Sequence, residues 1–442
     1  MINKLFPRLR FWDRDLKELL RGATKALFLK IFAAIIALVF NIVIIKTIGA
    51  DKSGIYFLSF TIVTILATIS CFGMNIPLVK VIASNIVLLK WENVHGIYRT
   101  GLRVGLIISV SLFIIIFYSS DIISTTLFDK KELADILKIM LIGVVPYTLS
   151  LLHSSALRGR KSISDSMFVL NVSTPLLTLI GTLFFSGYFN IYGVAWSFVF
   201  ASFATLGYGR WKWVKGRKYF NVNIYKYSKK KLFDSSIPMF WVDIFQIFVL
   251  RFSIIILGVY ESSKNIAIFN VASRVSILIS FILIAVNSIA GPKIAEMFRK
   301  KEIANLKKLS QSATEIMSII ALIAFLLVVF FAKFIMGLFS HEFVKEGANI
   351  LVIMGFAQFI TVSTGVVGLL LTMTGNEKIW RNIILLSAII SVFMHFVLVP
   401  KYGIWGATIA QSCAIMIQLL IAVIFVWKKF NILTLPFARF IK

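Results

Sequence analysis

The sequence predicts an all-α polytopic membrane protein, with twelve transmembrane helices in two six-helix lobes related by a parallel internal repeat. Composition, the spacing of apolar runs and the alternation of basic connectors predict it. Of the 442 residues, 59% are hydrophobic and 15% charged, whereas soluble domains run at about 45–50% apolar and about 25% charged. A mean hydropathy of +0.91 places most of the chain in lipid. The net charge of +28 suggests nucleic acid in a soluble chain. Here it is confined to short connectors between apolar runs, which excludes that reading.

A spanning helix needs about 20 mostly apolar residues. Twelve runs qualify: 26–48, 55–79, 101–118, 133–157, 163–186, 190–209, 236–259, 265–289, 312–335, 347–373, 380–399 and 404–427. The longest connector divides the chain into an N-terminal lobe with an interfacial leading segment (1–209), a basic cytoplasmic linker (210–235) and a C-terminal lobe (236–442). Connectors on one side, with both termini and Arg381 at the very start of its span, hold 34 Lys and Arg, and the opposite connectors hold six. The positive-inside rule makes the rich side cytoplasmic. The expected location is the cytoplasmic membrane, with both termini inside.

The leading segment, from Met1 to Arg21, mixes basic residues with Phe, Trp and Leu, as an interfacial helix or a simple positive-inside anchor does. In the linker, aromatics interleave with cations, a pattern suited to lipid headgroups. Cys71 and Cys413 lie inside apolar runs, so neither a disulfide framework nor a cysteine metal site is expected. No Walker motif, extramembrane carboxylate pair or His/Cys cluster is present. The expectation is a non-enzyme with no cofactor and no metal.

The halves resemble each other at a nearly constant offset. Ile191-Tyr192-Gly193 matches Ile404-Trp405-Gly406, Gly159-Arg160-Lys161 matches Gly375-Asn376-Glu377-Lys378, and Asn75-Ile76-Pro77 matches Ala290-Gly291-Pro292. Six spans between equivalents give both halves one orientation, about an axis along the membrane normal.

Short glycine-based motifs complete the pattern: Ile48-Gly49 through Gly54-Ile55-Tyr56 before span two, Gly73 and Pro77 at its end, Leu157-x-Gly159-x-Lys161 after span four, and Tyr402-Gly403-Ile404-Trp405-Gly406-Ala407 at the last span. With the span count and repeat, these residues resemble the polysaccharide flippases. Those are the Wzx-type O-antigen and lipid-linked oligosaccharide translocases, whose superfamily also holds the MATE drug exporters and the lipid II flippases. The resemblance covers the whole chain and implies a MATE-like fold. It also implies translocation of an undecaprenyl-diphosphate-linked oligosaccharide, the O-antigen or a related repeat unit, from inner to outer leaflet by alternating access. The expected partners are that substrate, membrane lipids, a proton or sodium counter-ion and a polysaccharide polymerase, with no nucleic acid.

Charge at mid-membrane is costly, about 2.5–3.5 kcal/mol on insertion scales. Lys46, Arg103, Lys138, Asp165 and Lys333 lie near span ends and can snorkel. Arg251 lies deep inside span seven, and Arg274 lies well before the end of span eight. These antiparallel spans bring them to similar depth with no acidic residue beside them. Paired guanidinium forks suit a diphosphate; the alternative is structural arginines bonded to backbone carbonyls of broken helices. Lys30, in span one, adds a third candidate cation for the diphosphate or an anionic glycan. Asp243 stands about 12 Å from Arg251 along the helix. It is a candidate gate with Lys30, a candidate ion-coupling site or a local hydrogen-bond partner. Glu315 is a candidate for ion coupling or for starting its helix. The alternative function, a MATE-like exporter of cationic drugs or small molecules, needs carboxylates where this sequence has cations.

Overall fold

The computed structural model describes residues 14–215 and 229–436. All regular structure among them is helical. The N-terminal half holds α1 (Arg14–Ile48), α2 (Ala50–Ser70), α3 (Asn75–Val87), α4 (Trp91–Ile122), α5 (Lys131–Ile142), α6 (Val144–Gly159), α7 (Ile163–Met167) and α8 (Thr174–Lys215). The C-terminal half holds α9 (Lys229–Leu250), α10 (Phe252–Tyr260), α11 (Ser263–Ser276), α12 (Phe281–Arg299), α13 (Ile303–Gly337), α14 (Val344–Ser363), α15 (Val367–Met373) and α16 (Glu377–Phe430). Residues 1–13 of the interfacial segment and 216–228 of the linker lie outside the described residues. Helices α8 and α9 both run into the 210–235 region, which shortens the expected linker.

By length and composition, nine helices among the described residues can cross a membrane. The pair α5 and α6, bent by 44° at Gly143, makes a tenth. The sequence predicts twelve, and the difference lies in the stretch Ile163–Lys215, which ends in α8, and in α16, each of which covers two expected spans. Both depart from helical geometry midway, at Asn190 and Gly403. Thr174 Oγ1 then lies 3.2 Å from Thr205 Oγ1, and Ser387 donates to the Ala414 carbonyl at 2.8 Å. Residues about 30 apart on one straight helix stand roughly 45 Å apart, so each element doubles back into two antiparallel arms.

The repeat appears in the turns. Leu89 and Lys301 (φ 56° and 58°) each end a helix in left-handed geometry. The next amides return to the carbonyls five residues back, Lys90 to Asn85 and Glu302 to Met297, both at 2.9 Å. Lys161 and Gly375 (φ 62° and 77°) do the same, with Ser162 bonded to Leu157 and Asn376 to Leu371. These are Schellman closures, which satisfy otherwise unpaired carbonyls at helix ends. The second sequence match is displaced by two residues, since Lys161 rather than Gly159 corresponds to Gly375, and the third fails. The chain is interrupted at 71–74 before Asn75, whereas α12 runs unbroken through 290–292.

Exposed Ile107, Ile115, Phe330, Phe334 and Phe393 form an apolar outer surface, as lipid requires. Inside, hydroxyls such as Thr61 and Ser70 bond the carbonyl four residues back, which satisfies them without a second helix. Helix α2 is central, with Tyr56, Phe57 and Leu58 fully buried. At one end a Cβ on Gly54 would stand 1.7 Å from the Ser263 carbonyl oxygen; at the other, one on Gly73 would stand 2.2 Å from the Phe240 amide nitrogen. The two halves therefore meet backbone to backbone at both ends of α2.

Candidate functional site: a cationic cavity between the halves

Between those two contacts the halves separate around a cavity of about 570 Å³. Its wall takes Lys30 from α1, Phe60 and Thr64 from α2, and Tyr147 from α6. It takes Arg251 and Arg274 from the other half. Helix geometry explains the placement. Span seven breaks at Arg251, which has φ −120° between α9 and α10. Arg274 occupies the last turn of α11, just before a 3₁₀ turn at Ile277–Ser280. Opposite them, Asn171 sits in a π-helical turn at Phe168–Ser173. Such turns occur often at functional sites.

The polarity of the wall is one-sided. Its charged members are Lys30, Arg251 and Arg274, and it contains no carboxylate. Arg274 Nε donates to Asn270 Oδ1 at 2.8 Å, which orients the fork. Among the described residues neither guanidinium pairs with a carboxylate or bonds a backbone carbonyl. The arrangement does not match arginines tied to broken helix ends. Tyr147 stands near both guanidinium groups, which repel each other. Two half-buried cations without a counter-ion make a site for an anion.

The structure brings together three of the five sequence-derived candidates: Lys30, Arg251 and Arg274. Asp243 does not line the cavity; it lies on α9 near Cys71. Among the described residues Lys30 and Asp243 form no ion pair, so the expected gate contact is absent from this conformation. Glu315 lies on α13, outside the cavity wall. Two of the charges near span ends are held in ion pairs: Lys138 with Asp121 at 2.7 Å, and Asp165 with Lys212 at 2.9 Å.

Sequence reasoning missed Tyr147 and Asn171, since an isolated tyrosine or asparagine in an apolar run gives no periodic signal. Gln411 also lines the cavity and accepts from Ser253 at 3.1 Å, and Ser253 Oγ lies 2.7 Å from His395 Nε2.

Known proteins resemble this chain in both sequence and fold. The family described as "Polysaccharide biosynthesis protein" matches residues 19–298, more than half of the chain. The chain belongs to that family. It is 19% identical over 412 residues to the probable low-salt glycan biosynthesis flippase Agl15 of Haloferax volcanii, covering 91% of this chain and 82% of the relative. Its fold resembles an inward-facing multidrug resistance MATE family transporter of the MOP superfamily, at 15% identity and a TM-score of 0.76, over 93% of this chain and 98% of that one. It also resembles the lipid II flippase MurJ in an inward closed conformation, at 15% identity and a TM-score of 0.75, over 91% and 88% of the two chains. The chain is thus a multi-span membrane protein with a MATE-like fold.

Proposed function

We propose that this family member is a flippase. It takes an oligosaccharide linked to undecaprenyl diphosphate, an O-antigen or related surface polysaccharide unit, at the inner leaflet of the cytoplasmic membrane and releases it at the outer leaflet. The observation that carries the reading is the cavity wall, where cations from both halves meet and no carboxylate is present. A diphosphate bound to Arg251 and Arg274 gains paired charge-assisted hydrogen bonds, and Lys30 reaches it from the opposite half. The isoprenoid stays among the acyl chains while the polar head crosses.

In this reading residues 1–209 and 236–442 act as two rocking lobes, with both termini cytoplasmic. The Gly54 and Gly73 contacts are the surfaces that part and close. Asp243 and Glu315, outside the cationic wall, are the groups proposed for gating or for coupling to protons or sodium. Polysaccharide polymerases that consume the flipped unit are the proposed downstream partners. The alternative, export of cationic drugs, is disfavoured by the same wall, because a cation entering it meets three like charges.

Export in cells tests the reading. In a strain lacking its own flippase, Arg251→Ala and Arg274→Ala at equal protein level are expected to cut surface polysaccharide at least tenfold and leave lipid-linked oligosaccharide facing the cytoplasm. Normal output from both variants overturns it.

A further inference from the structure

A second cavity, of about 450 Å³, adjoins the cationic one and shares Leu250, Gln358 and Ile415 with its wall. Every lining residue comes from the C-terminal half, and none is charged. Four amides face it: Gln246, Asn287, Gln358 and Gln418. Among the described residues none of the four side chains hydrogen-bonds to protein, and the Asn287 Oδ1 atom is buried without a partner. Buried amides are ordinarily satisfied, and an unpaired one is expensive in a membrane. Four together mark a space built for a ligand rich in hydroxyl or amide groups, or for the water that holds its place.

The remaining wall narrows the chemistry. Trp380 lines it, with its indole packed closely against Gly368, where a Cβ would lie 3.2 Å from the ring. A pyranose offers an apolar C–H face to an aromatic plane and a rim of hydroxyls to flanking amides. The volume falls in the usual range for ligand pockets, roughly 300–1,000 Å³. With no cation in the wall, the cavity gives no reward for a carboxylate on the sugar.

We propose that this cavity is the glycan subsite. It binds a neutral or N-acetylated sugar next to the diphosphate, with Trp380 stacking on the ring and the four amides bonding its polar rim. The assignment rests on the flippase reading and adds the class of sugar that the carrier selects.

The test uses purified full-length protein in nanodiscs and two probes: undecaprenyl diphosphate, and undecaprenyl diphosphate carrying one N-acetylhexosamine. Wild type is expected to bind the glycosylated probe about tenfold more tightly. Gln246→Leu, Gln418→Leu and Trp380→Ala are expected to erase that preference and leave binding of the bare diphosphate within about twofold, which also shows that the variants fold. Trp380→Phe, which keeps an aromatic plane, is expected to retain most of it. Equal binding of both probes by wild type, or an unchanged preference in all three variants, overturns the subsite while the anion site stands. Failure of wild type to bind either probe overturns the flippase reading and the subsite together.

Discussion

Asn190 and Gly403 adopt the same backbone conformation at equivalent positions of the two halves, with φ 52° at both and ψ −133° and −129°. Each sits at the bend of a doubled helix. Three positions on, Gly193 and Gly406 pack against the carbonyls of Phe185 and Leu398. Phe185 and Leu398 are themselves equivalent, each five positions before its bend. The bend is therefore one solution used twice, filled by glycine in one half and asparagine in the other.

That asymmetry predicts opposite responses to substitution. Non-glycine residues in such regions cost of order 1–3 kcal/mol. A Cβ at Gly403 would also fall 1.7 Å from Glu261 Oε1. Gly403→Ala is expected to lower the thermal unfolding midpoint in detergent by several degrees, and Asn190→Gly to leave it unchanged or raise it. A thermal scan of purified variants checks both.

Contact between the halves gives a second prediction. A methyl at Gly54 meets a backbone oxygen, which cannot rotate away, whereas Gly187 has open space around it. Gly54→Ala is expected to reduce glycan export at least tenfold at normal protein level, and Gly187→Ala to leave it unchanged. Surface polysaccharide quantified beside a protein blot checks both.

The fold was legible because lipid imposes strict rules: long apolar runs joined by short basic connectors leave little besides a bundle of spanning helices. The Ile191-Tyr192-Gly193 and Ile404-Trp405-Gly406 match located a true structural equivalence. The match at Pro77 and Pro292 did not, because proline reports a local backbone preference that different helices satisfy in different ways. Arg251 and Arg274 were legible since charge at mid-membrane has few uses. Asp243 was legible as unusual but not in its direction. Depth along a helix follows from residue count, but the face it presents depends on packing that a single sequence does not contain.

Asp243 carries a third prediction. Since it lies outside the cavity wall, Asp243→Asn is expected to leave diphosphate binding within about twofold and to abolish the response of transport to an imposed proton or sodium gradient. Transport measured in vesicles with and without each gradient checks this. An unchanged gradient response removes Asp243 as the coupling group.

The chain from His395 through Ser253 to Gln411 carries a fourth. His395 and Ser253 are buried, and removing the bridging hydroxyl leaves two polar partners unsatisfied, at about 1–3 kcal/mol. Ser253→Ala is expected to destabilise the protein by that amount and to weaken diphosphate binding less than Arg251→Ala does. Denaturant unfolding paired with a binding titration separates the two effects.

The most direct measurement compares binding of undecaprenyl diphosphate with that of undecaprenol, the same chain without its charged head, to purified wild type and to the Arg251→Gln, Arg274→Gln double variant. Wild type is predicted to prefer the diphosphate by at least about a hundredfold, consistent with two lost charge-assisted bonds at about 1.5–3 kcal/mol each, and the double variant to lose that preference. A double variant that folds and still discriminates between the two lipids as wild type does contradicts the account.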